Sequence, residues 1–287
     1  MSNGKLRLVI PKGMIQKEVV ALLQEVGIGL SISERSYRPI CSHTGIEAKL
    51  LKPQNIAKLI EIGAHDIAFT GRDWIRETGA DVDVMLDTGF NPVRLVVAAT
   101  PRFPDLTSIT QQRVIVASEY ELISRQFLEE NGIDYIFLRT YGATEVFPPD
   151  DADVIIDNTA TGRTLQDNDL HIVAEIMRSS TVFIANKTVL RNREQRTLID
   201  DLVTLMKGVL LARQKSVLEM NVTKDRLADL LAVLPAMVSP TISELVAEKG
   251  YAVRVGIEKG RVNELLTELK RCGATDILEF ALKKVVP

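Results

Sequence analysis

The chain has 287 residues, of which 46% are hydrophobic and 25% charged, and its formal net charge is -3. This length predicts two or three domains with sizeable hydrophobic cores. The slight acidic excess argues against a general nucleic-acid-binding protein, which usually carries a strong basic excess. Cys41 and Cys272 form no zinc pattern, and we find neither a signal peptide nor an apolar run long enough to span a membrane. We therefore expect a cytoplasmic protein without nucleic-acid or membrane partners.

Short apolar strands alternate with helical patterns along most of the chain. The first series contains strands Leu6–Ile10, Ile46–Leu51 and Asp66–Phe69 with helices Gln16–Val26 and Pro53–Glu61. The second series contains strands Leu95–Ala99, Arg113–Ala117, Asp134–Leu138, Asp153–Ile156 and Thr181–Ala185 with helices Leu122–Asn131 and Arg193–Arg213. This alternation predicts parallel sheets covered by helices, in two lobes with a cleft between them.

The last segment has a different pattern from the rest of the chain. From about Val217 it predicts a strand, a helix at Lys224–Leu234, a loop at Ala236–Thr241, a strand at Tyr251–Ile257, a helix at Val262–Cys272 and a strand at Ile277–Leu282. This order is typical of a small ferredoxin-like module. The predicted fold is therefore α/β. It has a two-lobed body with a central cleft, similar to periplasmic binding proteins, and a ferredoxin-like C-terminal domain of the ACT or PII type.

The strongest local signal lies where an apolar strand ends in Asp157 and a hydroxyl-rich loop leads into a helical pattern. Backbone N–H groups at the start of a helix are unpaired and partly positive, which favours a phosphate group. Gly162 lets the backbone approach a phosphate closely, and Thr161 and Thr164 add hydroxyl donors. We expect Asp157 to hold ribose hydroxyls or, directly or through water, a magnesium ion. An ordinary helix start with Thr161 as its N-cap is the alternative interpretation.

Residues 157–165 resemble the phosphoribosyl pyrophosphate loop of the ATP phosphoribosyltransferases. The resemblance covers nearly the whole chain, because other segments follow in the order that this family shows. These segments are Pro11–Gly13, Arg35–Pro39, Asp66–Asp73, Asp87–Phe90, Ala117–Tyr120, Gly142–Glu145, Ser179–Ser180 and Ile184–Asn186. Each segment alone is a weak signal, whereas their order and spacing together are specific.

The resemblance implies transfer of phosphoribosyl from phosphoribosyl pyrophosphate to N1 of the ATP adenine, with Mg2+ bound together with the substrate. Catalysis then rests on aligning the two substrates and neutralising the departing pyrophosphate, with Lys12 and Asp157 as the expected catalytic residues. The implied contacts of phosphoribosyl pyrophosphate are Glu145, Asp157, Asn158, Thr159, Ala160, Thr161, Gly162, Arg163 and Thr164. The implied contacts of ATP are Lys12, Gly13, Arg35, Asp73 and Tyr120.

Several of these residues also have a simpler structural interpretation. Without the resemblance, Lys12 is interpreted as a solvated lysine in a turn and Tyr120 as a packing residue. Asp73 is interpreted as an acid at a helix N-terminus, where the helix dipole favours it. Trp74 is expected in the core. The three histidines are not spaced as ligands and are treated as incidental. The chain has Met14 where the family commonly has an arginine, so one phosphate contact is missing.

The C-terminal segments Leu234–Thr241 and Gly273–Leu278 resemble the regulatory domain of the long form of this family, which binds the end product, histidine. The implied histidine contacts are Asn221, Met237, Thr241 and Ala274. Family members usually have an acid near position 221, so the amide predicts weaker inhibition. The expected boundaries are 1–98 with 186–215 for catalytic lobe I, 99–185 for lobe II and 216–287 for the regulatory domain. The resemblance also implies a homo-oligomer in which dimers build a hexamer.

Three other functions remain open at this point. A solute-binding protein has the same two-lobed body. A phosphoribosyltransferase for a free base shares the loop, although it usually carries two adjacent acids where this chain has Asp157 and Asn158. A regulatory paralogue without activity would keep the fold but not the catalytic residues.

Overall fold

The structure is a computed structural model that describes residues 4–33, 36–234 and 239–286. The chain divides into two compact units. Residues 1–24 and 28–198 form the first unit, and residues 25–27 and 199–287 form the second. The expected boundaries of the lobes and of the regulatory domain stay a prediction.

The first unit contains one eight-stranded mixed sheet and a short two-stranded ribbon. Its strands are β1 (Leu6–Pro11), β2 (Leu30–Ser31), β3 (Ile40–Cys41), β4 (Ile46–Leu51), β5 (Ile67–Gly71), β6 (Asp83–Ala99), β7 (Val114–Ser118), β8 (Tyr135–Arg139), β9 (Val154–Thr159) and β10 (His171–Ala185). The order in the large sheet is β4-β1-β5-β10-β6-β9-β7-β8, and β2 pairs with β3. The helices that begin in this unit are α1 (Met14–Glu25), α2 (Ile56–Glu61), α3 (Arg72–Thr78), α4 (Leu106–Thr110), α5 (Glu121–Glu130), α6 (Arg163–Asp167) and α7 (Arg193–Arg213).

The large sheet has two parallel halves, as the sequence predicts, but two long strands join them into one. Strands β4, β1 and β5 are parallel, and so are β9, β7 and β8. Between them, β6 and β10 run antiparallel to each other and to their outer neighbours. The sequence predicts only the last third of each long strand, and in β6 the turn-forming residues Gly89 and Pro92 interrupt the strand pattern. The structure accommodates them with irregular pairing around Ser179–Val182.

Each half has its own hydrophobic core. Alternate residues of a strand point to opposite faces of a sheet. Accordingly, Leu95 and Val97 contribute to the core on one face of the second half, and Val96 and Ala98 contribute to the core on the other. A separate cluster that includes Val9, Ile56, Ile60 and Ile184 stabilises the first half. The two-lobed α/β body is therefore confirmed.

The second unit has the predicted ferredoxin-like arrangement. Its elements after α7 are β11 (Lys215–Val222), α8 (Leu227–Val233), β12 (Thr241–Glu244), β13 (Tyr251–Glu258), α9 (Val262–Arg271) and β14 (Thr275–Ala281). The antiparallel order β12-β13-β11-β14 places the two strands that precede the helices at the centre. Strand β12 was missed because its four residues are polar or exposed. Most of the loop predicted before it, residues 235–238, lies outside the described residues.

Gly250 lies directly before β13 in a conformation that other residues rarely adopt, with φ of 126°. A Cβ atom there would overlap the carbonyl oxygen of Val222 and lie 3.0 Å from Cα of Thr223. We expect Gly250→Ala to destabilise the second unit by about 1–3 kcal/mol, because both the backbone and the contact become strained. Thermal unfolding measures the loss, with Gly256→Ala as the control since a Cβ there meets nothing within 4 Å. Equal melting temperatures for the two variants would contradict this account.

Within the described ranges, no helix is both long enough and apolar enough to cross a membrane.

Candidate active site

Two adjoining cavities lie between the halves of the first unit. One, of about 240 Å³, is lined by Lys12, Asp73 and Tyr120 among others. The other, of about 390 Å³, is lined by Glu145 and most of the loop 157–165. The residues that line both are Met14, Val93, Glu119 and Asn158. The structure therefore brings the two predicted sets of substrate residues to neighbouring spaces.

Residues 157–165, which we call the phosphate-type loop, comprise the end of β9, a tight turn and the start of α6. Gly162 has φ of 81°, a left-handed conformation that favours glycine. The Thr159 hydroxyl accepts a hydrogen bond from the Gly162 N–H at 2.9 Å, and the Thr161 hydroxyl accepts one from the Arg163 N–H at 3.4 Å. The N-cap of α6 is Gly162, without a side-chain cap, so the alternative interpretation of Thr161 as N-cap is wrong. Two of the loop hydroxyls instead hold the shape of the loop itself.

Asp157 is half-buried at the end of β9, beside two other acids. Burial, helped by the nearby carboxylates of Glu145 and Glu119, raises the pKa of Asp157 to about 6. Hydrogen bonds from the Asn158 N–H, at 2.7 Å, and from Thr144 act in the opposite direction. A carboxylate held in this way is poised to gain donors or a cation from a ligand, because either would stabilise its charged form.

Asp73 is buried in the first turn of α3, and each of its two carboxylate oxygens accepts a hydrogen bond from a neighbouring hydroxyl. Its Oδ1 accepts the Ser179 hydroxyl at 2.7 Å, and its Oδ2 accepts the Tyr120 hydroxyl at 2.7 Å. The Tyr120 hydroxyl in turn accepts the side-chain N–H of Asn158 at 2.9 Å. Burial, followed by the charge of Asp73, raises the pKa of Tyr120 well above its usual range. Hydrogen bonds therefore link the smaller cavity to Asn158, directly after Asp157.

Tyr120 contacts protein on its ring face. The ring stacks on Trp74 with centroids 4.6 Å apart and is fully buried. Trp74 lies in the core, as predicted. The position of Tyr120 thus matches the packing interpretation, and its hydroxyl lies at the cavity wall without leaving a free face for an adenine ring.

Lys12 lies directly after β1 at the wall of the smaller cavity. Its backbone N–H donates to the Leu51 carbonyl at 2.8 Å, and its ammonium lies 3.9 Å from the centre of the Tyr37 ring. A cation above an exposed aromatic ring is held only weakly, so the ammonium can turn towards a phosphate. The plainer interpretation of Lys12 as a freely solvated turn lysine does not match this position.

Among the other predicted residues that the structure describes, Gly13, Gly162 and Arg163 line neither cavity. Gly13, which follows Lys12, is exposed. The Arg163 side chain is exposed, and its Nε lies 3.9 Å from Oδ2 of Asp167. Gly162 contributes only its backbone conformation. Arg35 lies outside the described residues.

Comparisons with known proteins find matches to a single family over almost the whole chain. The ATP phosphoribosyltransferase family matches residues 52–208, and a family described as the HisG C-terminal domain matches residues 212–284. The ATP phosphoribosyltransferase of Pelotomaculum thermopropionicum is 38% identical over 99% of this chain and 100% of its own length. That of Thermodesulfovibrio yellowstonii is 37% identical over the full length of both chains.

The chain belongs to the ATP phosphoribosyltransferase family. ATP phosphoribosyltransferases use ATP and phosphoribosyl pyrophosphate in the first step of histidine biosynthesis, and that is the reaction of this chain. Membership in this family excludes two of the alternative functions, a solute-binding protein and a phosphoribosyltransferase for a free base. The match to a C-terminal domain identifies the long form of the family. A solved ATP phosphoribosyltransferase complex from Thermotoga maritima superposes with a TM-score of 0.62 at 24% identity. It covers 70% of this chain and 98% of its own, which supports the fold.

In the second unit, three of the residues predicted to contact the effector histidine are described, and they do not form one cluster. Asn221 and Thr241 lie on the outer face of the sheet but are separated by β13, where Thr241 pairs with Arg254. Ala274 is buried in the core, because the turn after α9 points its side chain inwards. Met237 lies outside the described residues. The Asn221 side-chain N–H donates to Asp276 at 3.1 Å, so a carboxylate lies beside position 221 after all.

Several cavity residues of the ATP phosphoribosyltransferase were not assigned from sequence. Gln54 of the first half lies 3.5 Å from the Glu119 carboxylate of the second half. Ser179, in the middle of β10, donates a hydrogen bond to Asp73. Glu119 and Ser179 fall within segments that resemble the family, which was the available signal. Gln54 lies in a 3₁₀ turn, Pro53–Asn55, and carried no signal.

Proposed function

We propose that the two adjoining cavities bind ATP and phosphoribosyl pyrophosphate and align them for transfer. A new bond forms between adenine N1 and ribose C1, while the C1–O bond breaks and pyrophosphate leaves with the bonding electrons. The observation that carries the proposal is the shared wall of the two cavities, formed by residues such as Glu119 and Asn158. Holding both reactants at adjoining positions lowers the entropic part of the barrier.

The predicted residues that line the two cavities have the following roles in this proposal. Asp157 accepts hydrogen bonds from ribose hydroxyls, and the loop 158–164 surrounds the 5′-phosphate. Lys12 leaves the Tyr37 ring and neutralises charge on the departing pyrophosphate. Asp73 and Tyr120 shape the smaller cavity, which we assign to ATP and call the nucleotide cavity. Glu145 lies beside the ribose.

The carboxylates around the second cavity fit a divalent cation that arrives with the substrate. Burial is the main cause of the raised pKa of Asp157, and the nearby carboxylate of Glu145 adds to it; carboxylate oxygens are preferred ligands of Mg2+. We propose that these two residues hold the substrate-bound Mg2+ directly or through water. When bound, Mg2+ neutralises negative charge on pyrophosphate, and the residues named above do the positioning.

We further propose that the second unit binds histidine and inhibits the enzyme, with Asn221 and Thr241 on the outer sheet face as contacts. The Asn221–Asp276 pair supports this role, because an amide and a carboxylate together suit an amino acid's ammonium group. Inhibition requires that histidine bind an inactive arrangement better than the active one. A cytoplasmic homo-oligomer in which dimers build a hexamer completes the proposal.

The test is an assay with ATP, phosphoribosyl pyrophosphate, Mg2+ and pyrophosphatase. We expect formation of phosphoribosyl-ATP, and its suppression by added histidine. Absence of product from folded protein would identify an inactive paralogue and overturn the catalytic proposal.

The histidine arm has its own variant and control. Asn221→Ala should raise the histidine concentration needed for half-inhibition by about tenfold, which is the effect of losing one hydrogen bond to a charged group. Thr267→Ala on α9, where the hydroxyl donates to the Glu264 carbonyl within its own helix, should leave inhibition unchanged. Full activity that histidine never suppresses would overturn the regulatory proposal alone.

A further inference from the structure

Helix α5, in the second half of the body, lacks a cap from its own sequence. Its N-cap residue is Tyr120, which makes no side-chain capping bond. Uncapped N–H groups in a first turn cost stability when they are shielded from water, so a partner is expected from elsewhere.

The missing cap comes from the first half of the body. The Glu77 carboxylate, on α3, accepts the Leu122 N–H at 3.1 Å with one oxygen and the Ile123 N–H at 3.0 Å with the other. These are the second and third residues of α5, the positions that an N-cap side chain normally serves. A negative charge at this end of the helix is also favoured by the helix dipole.

Glu77 lies one helical turn after Asp73 on α3. The two carboxylates accept hydrogen bonds from consecutive parts of one segment, which consists of Tyr120 and the first turn of α5. Residues four apart lie on one face of a helix. Asp73 holds the Tyr120 hydroxyl, Trp74 stacks on the Tyr120 ring, and Glu77 holds the next turn of backbone. Tyr120 in turn receives the side chain of Asn158, the first residue after Asp157.

We propose that Glu77 is a positioning residue for phosphoribosyl transfer. By capping α5 across the two halves, it fixes Tyr120 and, through Asn158, sets the phosphate-type loop relative to the nucleotide cavity. Glu77 lines neither cavity and acts through these neighbours. The proposal rests on the transfer function of the cleft and assigns to it a residue outside the cleft.

The experiment compares Glu77→Ala with Asp105→Ala in the full-length protein. Asp105 caps α4 within the second half, accepting the Ser108 N–H at 2.8 Å, and lies away from both cavities. Both variants lose a helix cap, so both should lower the melting temperature. We expect only Glu77→Ala to lower kcat/KM for ATP, by about 10- to 100-fold, because displacement of positioned groups by an ångström has effects of this size. The chain has one tryptophan, Trp74, and its emission should shift only in Glu77→Ala.

A conservative variant separates positioning from loss of fold. Glu77→Gln keeps one acceptor oxygen and should recover a large part of kcat/KM and the wild-type emission of Trp74. Wild-type kinetics in folded Glu77→Ala, or an equal kinetic loss in Asp105→Ala, would overturn the proposal. An inactive wild-type enzyme in the same assay would instead overturn the proposed function, so the two failures are distinguishable.

Discussion

Asp157→Asn is expected to lower kcat/KM for phosphoribosyl pyrophosphate by at least about 100-fold. Each hydrogen bond from a ribose hydroxyl to a carboxylate contributes about 1.5–3 kcal/mol, and about 1.4 kcal/mol corresponds to a factor of ten in rate. Two such bonds therefore account for the loss. Steady-state kinetics measure it, with Asp167→Asn as the control because Asp167 is exposed at the far end of the adjoining α6. A variant with wild-type kcat/KM would contradict the role of Asp157.

The same substitution should leave the protein as stable as the wild type or more stable at neutral pH. The pKa of Asp157 is raised to about 6 in the folded protein from an ordinary value of 3.8. The folded state therefore binds this proton more tightly than the unfolded chain. The associated stability is present below the ordinary value and is lost as the pH rises through about 6. Asparagine removes this unfavourable ionisation, so a clear drop in melting temperature would contradict the assigned environment.

The pKa of Asp157 also predicts a pH dependence of catalysis. Below about pH 6 the protonated carboxyl loses acceptor capacity, so kcat/KM for phosphoribosyl pyrophosphate should fall with decreasing pH. A phosphate monoester on the substrate also titrates near pH 6. Asp157→Asn separates the two causes, because its profile retains only the part that comes from the substrate. Identical profile shapes would assign the whole dependence to the substrate.

Gly71→Ala is expected to disable the nucleotide cavity although it adds a single methyl group. The Gly71 backbone, with φ of -74° and ψ of 144°, is one that any residue adopts, so strain arises only from contact. The new Cβ would overlap Oδ1 of Asp73 and lie 3.2 Å from its Cγ. Asp73 must then leave the Tyr120 and Ser179 hydroxyls. We expect kcat/KM for ATP to fall by about 10- to 100-fold and stability to fall by about 1–3 kcal/mol.

A double-mutant cycle tests whether this effect passes through Asp73. If it does, Gly71→Ala should add little to the loss already caused by Asp73→Ala, since the group that it displaces is absent. Gly260→Ala is the control, because a Cβ there meets nothing within 4 Å. Additive losses in the double variant would show that Gly71 matters for a different reason.

Local patterns were sufficient for most elements of the fold. Ile46–Leu51 and Arg193–Arg213 have the predicted bounds, because apolar spacing and flanking residues specify a strand or a helix without distant contacts. The phosphate-type loop was recognisable for the same reason, since its acid, hydroxyls and glycine are consecutive. Long-range pairing was not predictable in this way. The bridging strands β6 and β10 extend through turn-like residues only because each satisfies the other's backbone groups.

The sequence alone determined the family, the α/β class, the separate C-terminal domain and the identity of Lys12, Asp73 and Asp157 as site candidates. Only the tertiary structure decided what these residues contact. It placed Tyr120 against Trp74 rather than in an open site, buried Ala274, put Asp276 beside Asn221 and gave α5 its cap from Glu77. Each of these contacts joins residues that are distant along the chain or depends on which way a side chain faces. Periodicity and motif spacing report local conformation, whereas hydrogen bonds across the sheet depend on how the elements pack.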